Sequence, residues 1–299
     1  MPTYSHSQIE TFLQCKLKYK FKYIDKIRMP VQKTVELFMG DVVHQALKYL
    51  YDGVVRGTVF PREFVVKQFD DLWKQQWVAD ILIVRDKSAA DYKDMGRRFV
   101  EQFYDLYFPF DHFEIVGLET NDRYVLIDGN NYYVRIDKLG KSSDGTYFVC
   151  DYKTNNKLKS DAELTADRQL AMYSLWVRQK YPDAKTVKLV WYFLAHNKKI
   201  EIEHSQEALS AIEQRVVDVI KQIGSTRDFP ANPTKLCDWC EYKPICPAWN
   251  PTANDVRVSA VHTVAQTQTG RVIGESAVSV PMDLSTKPKA TTQQKLNFF

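Results

Sequence analysis

The sequence predicts an α/β fold, a mixed central sheet flanked by helices. Three observations carry that expectation. Residues 132–154 hold two arms rich in β-branched and aromatic residues on either side of Ser142-Ser143-Asp144-Gly145, the pattern of a β-hairpin. Thr186 to Ala195 contains the apolar run Val-Lys-Leu-Val-Trp-Tyr-Phe-Leu, which suits a buried strand. Stretches with apolar residues at helical spacing stand before and after these strands, as they must if helices cover the sheet.

At 299 residues and 44% hydrophobic content, the chain can bury the core of one large domain or two small ones. A net charge of +4 permits a nucleic-acid partner without requiring one. No stretch approaches 18 consecutive apolar residues, and the N-terminus lacks a signal-peptide pattern. A soluble, intracellular (cytoplasmic) protein with no membrane partner is therefore expected. Five cysteines without a secretion signal argue against a disulfide framework.

Taken in order, the first element is a helix over Ser7 to Tyr23. Ser7 and Glu10 form a capping-box signal, and Ile9, Phe12, Leu13, Lys16 and Tyr19 follow. The second runs from Val35 to Val55 and carries His44, by default a core residue. Pro61 to Asp80 and Lys87 to Phe108 form a helical insertion over about residues 56–112, with Phe64, Phe69, Phe99 and Phe103 on its apolar faces. Phe113 to Glu119 opens the β region, with Glu119 read as an exposed strand carboxylate or a neighbour of His44. Arg123 to Ile127 continues it, and the hairpin follows. A helix over Asp161 to Lys180 puts Gln169 and Tyr173 on one face. Lys199 to Glu203 pairs with the apolar run, and Glu207 to Ile223 is the last helix. Residues 230–250 are rich in Pro, Asn and Cys. Residues 251–292 read as a polar, flexible linker to the terminal peptide 293–299.

The hairpin carries the chemistry. Strand alternation points Asp151 and Lys153 to one side. In an odd-numbered loop centred on Asp144, Asp137 stands opposite Asp151. Two facing carboxylates destabilise a ladder unless a divalent cation sits between them. A two-residue turn at Asp144-Gly145 would instead send Asp137 to the other face. Cys237-x2-Cys240-x5-Cys246 supplies three thiolates. Cys15 is the better fourth, because Cys150 lies in an apolar strand. Four thiolates suit zinc or an iron–sulfur cluster. One distant ligand and three local ones are unusual for zinc and favour a cluster that staples the first helix to the last folded segment.

These features occur together and in order. Ser5-x-Ser7 leads to Phe12 and Cys15, and Gly40-x3-His44, Asp137, Asp151-x-Lys153, Gln169-x3-Tyr173 and the cysteine triplet follow. Over about residues 3–250 the sequence resembles the RecB-like branch of the PD-(D/E)XK nucleases, the CRISPR-associated and phage exonucleases with an iron–sulfur cluster. It departs from that pattern at Val134 and Arg135, where the family often has glycine. The resemblance implies a restriction-endonuclease-like fold with an iron–sulfur-stapled end and a nuclease domain over residues 1–250. His44, Asp137 and Asp151 would bind Mg²⁺ or Mn²⁺, with a backbone carbonyl beside Asp151, at Cys150, as a further ligand. Lys153 would position the attacking water and stabilise charge on the phosphate, and Gln169 and Tyr173 would line the site. Cys15, Cys237, Cys240 and Cys246 would hold a 4Fe–4S cluster. The implied activity is a metal-dependent DNA exonuclease on single-stranded or frayed ends, 5′-to-3′, in recombination, repair or replication. Rival readings are a CRISPR adaptation nuclease that trims DNA before integration, and a non-catalytic iron–sulfur DNA-binding scaffold.

No Gly-x4-Gly-Lys-Ser/Thr phosphate loop is present, so any helicase would be a separate protein. At the C-terminus, Gln293, Leu296, Phe298 and Phe299 have the spacing of a sliding-clamp-binding peptide, in which Leu and Phe anchors fill a pocket. The bland alternative is a polar end with two chance aromatics.

Overall fold

The computed structural model describes residues 1–29 and 33–251. The linker after Pro251 and the peptide 293–299 lie outside the described residues. Strands β1 (Thr3–Tyr4), β2 (Glu114–Leu118), β3 (Asp122–Val125), β4 (Asn131–Val134), β5 (Lys138–Lys141), β6 (Thr146–Lys153), β7 (Thr186–Phe193) and β8 (Lys198–Glu203) form two mixed sheets. The larger has the order β2-β5-β6-β7-β8 and is antiparallel except where β6 runs beside β7. In the smaller, β4 pairs in parallel with β1 and antiparallel with β3.

Among the described residues the α-helices are α1 (His6–Gln14), α2 (Lys16–Tyr19), continued by a π-helical turn over Lys20–Ile24, α3 (Val35–Val55), α4 (Arg62–Gln76), α5 (Ala89–Tyr107), α6 (Asp161–Thr165), α7 (Arg168–Lys180) and α8 (Gln206–Ser225). They cover both faces of the larger sheet. Tyr147 and Val149 of β6 and Leu189 and Trp191 of β7 enter a core with α7 and α8. Their neighbours Cys150, Tyr152, Val190 and Tyr192 enter a second core with α3, α4 and α5. Strand alternation thus feeds two cores, which is why β7 reads as a continuous apolar run. The helical insertion is the cover of the second core.

The β5–β6 ladder pairs Lys138 with Cys150 and Lys141 with Tyr147, the register centred on Asp144. Extended by one position, it sets Asp137 opposite Asp151. The first arm of the hairpin is not one strand, however. The chain leaves the smaller sheet at Val134, bends through residues 135–137 and enters the larger sheet at Lys138. The bend is tied to the preceding turn. Thr120 Oγ1 accepts from the Ile136 N–H (2.8 Å), and the Glu119 N–H donates to the Asp137 carbonyl (3.0 Å).

Two expected helices are divided. The first begins at His6, capped by Ser5, whose hydroxyl accepts from the Gln8 N–H (3.1 Å); Ser7 is not the cap. It ends at Gln14, because Cys15 is extended (φ −158°, ψ 111°) and caps α2 with its sulfur. The stretch 161–180 breaks after Thr165, and Asp167 caps α7 by accepting from the Leu170 N–H (3.2 Å). In both cases the apolar period continues across a residue whose side chain captures backbone donors better than helix continuation does.

Candidate active site

The site lies where β6 ends. Asp151 and Lys153 project on the α7 side of the sheet, and Asp137 stands across from Asp151 in the bend before β5. The Tyr152 N–H donates to Asp137 Oδ2 (2.9 Å). From the opposite face, α3 brings in His44. Thr34 caps this helix by accepting from the Leu37 N–H (3.5 Å). His44 Nε2 lies 2.9 Å from the Tyr152 carbonyl oxygen and Nδ1 lies 3.4 Å from Asp137 Oδ2. His44 is therefore not a core residue with an ordinary partner; it bridges the strand backbone and the first acid.

Glu119 joins them. One ligand atom each of His44, Glu119 and Asp137 lies within 4.8 Å of the others. Glu119 has φ +45° and is paired with Arg135, whose Nη2 lies 2.7 Å from Oε2. Its placement comes from a bulge. The β2–β5 register shifts between Ile115 and Gly117, so Leu118 pairs with Lys138 and Glu119 falls opposite Asp137. Without the bulge Leu118 would occupy that position. The sequence contains the carboxylate but no signal for the extra residue.

The electrostatics are those of buried, opposed charges. Burial would lower the His44 pKa, but the Asp137 carboxylate outweighs it, with help from Asp151 and Glu119, and lifts it to about 9. Burial alone would raise Asp137; His44, the Tyr152 N–H and Lys153 together hold it below the usual carboxylate range. Asp151 is pushed up to about 6 by burial, against the pull of Lys153. Lys153 is raised because Asp151 offsets the cost of burying its charge. Its Nζ lies 2.7 Å from Asp151 Oδ2, close enough for an ion pair, yet Oδ2 is buried without an aligned hydrogen bond.

On α7, Gln169 accepts from Lys153 Nζ (3.4 Å) and donates to the Tyr173 hydroxyl (3.5 Å). The two residues share a face because they are four apart, and they back the lysine. Cys150 is not brought to the site. Its thiol lies in the α3–α5 core, and burial pushes its pKa up to about 11, so it stays neutral. Of the residues flanking Asp151, it is Tyr152 whose carbonyl faces His44, because that carbonyl lies where β6 meets α3.

Carboxylates, one imidazole and a carbonyl form a hard-donor set. They fit Mg²⁺ or Mn²⁺ better than a thiophilic metal; His44, Glu119 and Asp137 form the close group, and Asp151 stands beside it, ion-paired with Lys153. Far from this site, Cys15, Cys237, Cys240 and Cys246 line one concavity with Leu17, Phe21, Leu236 and Tyr242. No three of these sulfurs lie within 4.8 Å of one another.

No curated protein matches the chain. A crystal structure of SSO0001 is similar over 78% of this chain and 94% of that one, with 17% identity and a TM-score of 0.33. The profile of the PD-(D/E)XK nuclease superfamily matches residues 3–247. The chain thus belongs to the PD-(D/E)XK nuclease superfamily, whose members are metal-dependent nucleases.

Proposed function

We propose that the protein is a Mg²⁺- or Mn²⁺-dependent DNA exonuclease that works 5′-to-3′ on single-stranded or frayed ends in recombination, repair or replication. The observation that carries this reading is the convergence of His44, Asp137, Asp151 and Lys153 at the end of β6, with Asp137 held between His44 and the Tyr152 N–H and Asp151 ion-paired with Lys153. His44, Asp137, Asp151, Glu119 and the Tyr152 carbonyl are the groups that would hold the ion. A bound ion supplies charge neutralisation at a phosphoryl oxygen and a water of lowered pKa. Lys153, held by Asp151 and Gln169, orients the attacking water and stabilises negative charge on the phosphate as the bond to the leaving oxygen breaks. Gln169 and Tyr173 keep the ammonium from swinging away.

The four cysteines lining one concavity are assigned to an iron–sulfur cluster. The assignment rests on the sequence pattern of one distant and three local cysteines, which is unusual for zinc. The C-terminal peptide is assigned to a sliding clamp on its sequence, with a helicase, where one is needed, as a separate partner. Deleting residues 293–299 should abolish clamp binding and spare cleavage; unchanged clamp affinity would refute that assignment.

The test of the nuclease is cleavage of 5′- or 3′-labelled single- and double-stranded DNA with Mg²⁺, Mn²⁺ or EDTA, by wild type and Lys153→Ala. Metal-dependent loss of DNA that disappears in the variant is expected, with release of the 5′ label first. Binding without cleavage in every metal would overturn the proposal.

A further inference from the structure

Two cavities flank the residues around the end of β6, and their charges differ. One, of about 700 Å³, opens beside α1 and α7. It sets Lys159, Arg168 and Arg215 against four carboxylates, and Lys159 pairs with Asp167 and Arg168 with Glu10. The other, of about 560 Å³, lies between the start of α3, the segment before α5 and the residues that follow Lys153. Arg85, Lys87 and Lys157 face it, and Glu36 is the one acidic residue lining it among the described residues. Lys157 is paired with Glu163 (2.5 Å), whereas Arg85 and Lys87 have no carboxylate partner among the described residues, Lys87 lying 6.0 Å from the centroid of the Tyr92 ring.

This second cavity has the size and character of a seat for one nucleotide. Both cations are exposed, and the Arg85 guanidinium lies 5.8 Å from the centroid of the Trp239 ring. At that distance the indole attracts the guanidinium while its N–H groups stay free for a phosphate. Leu37, 62% exposed at the rim, and Met39 and Met95 supply an apolar wall. Glu36 accepts from the Tyr92 hydroxyl (2.9 Å) through one oxygen, while its other oxygen is buried and unpaired. Such an acceptor suits the exocyclic amine of a base. Thr154 and Asn155 join this cavity directly to Lys153.

We propose that this cavity seats a nucleotide of a single-stranded nucleic acid beside the scissile phosphate, with Arg85 and Lys87 on the backbone and the base against Leu37 and Met95. The assignment deepens the nuclease reading and rests on it for the direction of the strand. It also separates grip from chemistry, since neither cation touches the reacting groups.

The test is fluorescence anisotropy of a labelled 15-nucleotide DNA strand in EDTA, across a salt series, together with steady-state cleavage in Mg²⁺. Arg85→Ala/Lys87→Ala should raise Kd and KM about tenfold and leave kcat unchanged. Its log Kd against log salt slope should fall by about 1.4, the share of two phosphate contacts to a single strand. Arg215→Ala, in the other cavity, should change neither. Lys87→Glu gives the same direction at one exposed site should the double variant fold poorly. Wild-type Kd and salt slope in these variants would overturn the cavity while leaving the nuclease reading intact, provided Lys153→Ala still abolishes cleavage. Loss of binding in the variants of a protein that cleaves nothing would uphold the cavity and refute the nuclease. A wild type that binds no strand would refute both.

Discussion

His44 shows how a residue's role follows from its surroundings. Its ring is charged at neutral pH because three carboxylates surround it, so a cation must displace a proton to reach it. Below about pH 9 that competition weakens metal binding, and below about pH 6 protonation of Asp151 weakens it further. Metal affinity should therefore rise steadily from pH 6 to 9. Calorimetry in buffers of different ionisation enthalpy should find about one proton released per ion at pH 7.5 and none at pH 10; a pH-independent affinity would remove His44 from the centre. Lys138, the next residue after Asp137, faces the other core. Its ammonium lies 2.8 Å from the Tyr51 hydroxyl and 4.0 Å from that ring's centroid, and burial pushes its pKa down to about 8. Between pH 8 and the ordinary lysine range the unfolded chain binds the extra proton, so this group makes stability rise with pH there. At pH 7 the charge is present and costly. Lys138→Met should then stabilise the protein by about 2 kcal/mol in urea denaturation, less whatever the orphaned Tyr51 hydroxyl costs.

Elements place these residues through their irregularities. The break at Cys15 turns its sulfur out of a helix and towards the cysteine segment. The bulge in β2 sets Glu119 against Asp137, and the bend at residues 135–137 moves the chain from one sheet to the other beside the first acid. The helical cover depends on close approach. A Cβ on Gly96 of α5 would stand 2.8 Å from the Phe69 ring and 2.9 Å from Met39 Cγ. Gly96→Ala should gain helix propensity yet lose about 1–3 kcal/mol through overpacking. Urea melts should show that loss, with α3 pushed from the position that carries His44 and metal affinity reduced alongside. A variant as stable as wild type would mean that α4 and α5 yield at no cost.

Across the whole molecule, the first and last described segments are tied together. The Leu17 N–H donates to the Pro230 carbonyl (3.2 Å), the Asn232 amide to the Gln14 carbonyl (2.9 Å) and the Tyr242 hydroxyl to the Ile27 carbonyl (3.0 Å). Lys18 pairs with Glu241 at 2.8 Å. A cluster among the four cysteines would add a covalent closure of a loop of more than two hundred residues. Cys240→Ala should lower Tm by at least about 5 °C and bleach any cluster absorbance. Because Trp239, next to Cys240, lies 5.8 Å from the Arg85 guanidinium, the variant should also weaken single-strand binding more than it slows saturated cleavage. A colourless wild type that melts with the variant would leave the cysteines as packing residues.

The sequence by itself determined the α/β class, the span of α3, the hairpin and its acids, and the order of motifs that marks a PD-(D/E)XK nuclease. Each is a local pattern: a period, a turn, a short spacing. It could not determine the division of the first hairpin arm between two sheets, since Tyr132 and Leu139 are equally strand-like and only pairing partners separate them. Nor could it choose between the two readings of Glu119, whose register depends on one bulged residue, or show that the Tyr152 carbonyl faces His44, because that depends on where β6 meets α3. The tertiary structure decided these points because facing groups come from strands and helices far apart in the chain, and their register and packing are fixed only when both cores close.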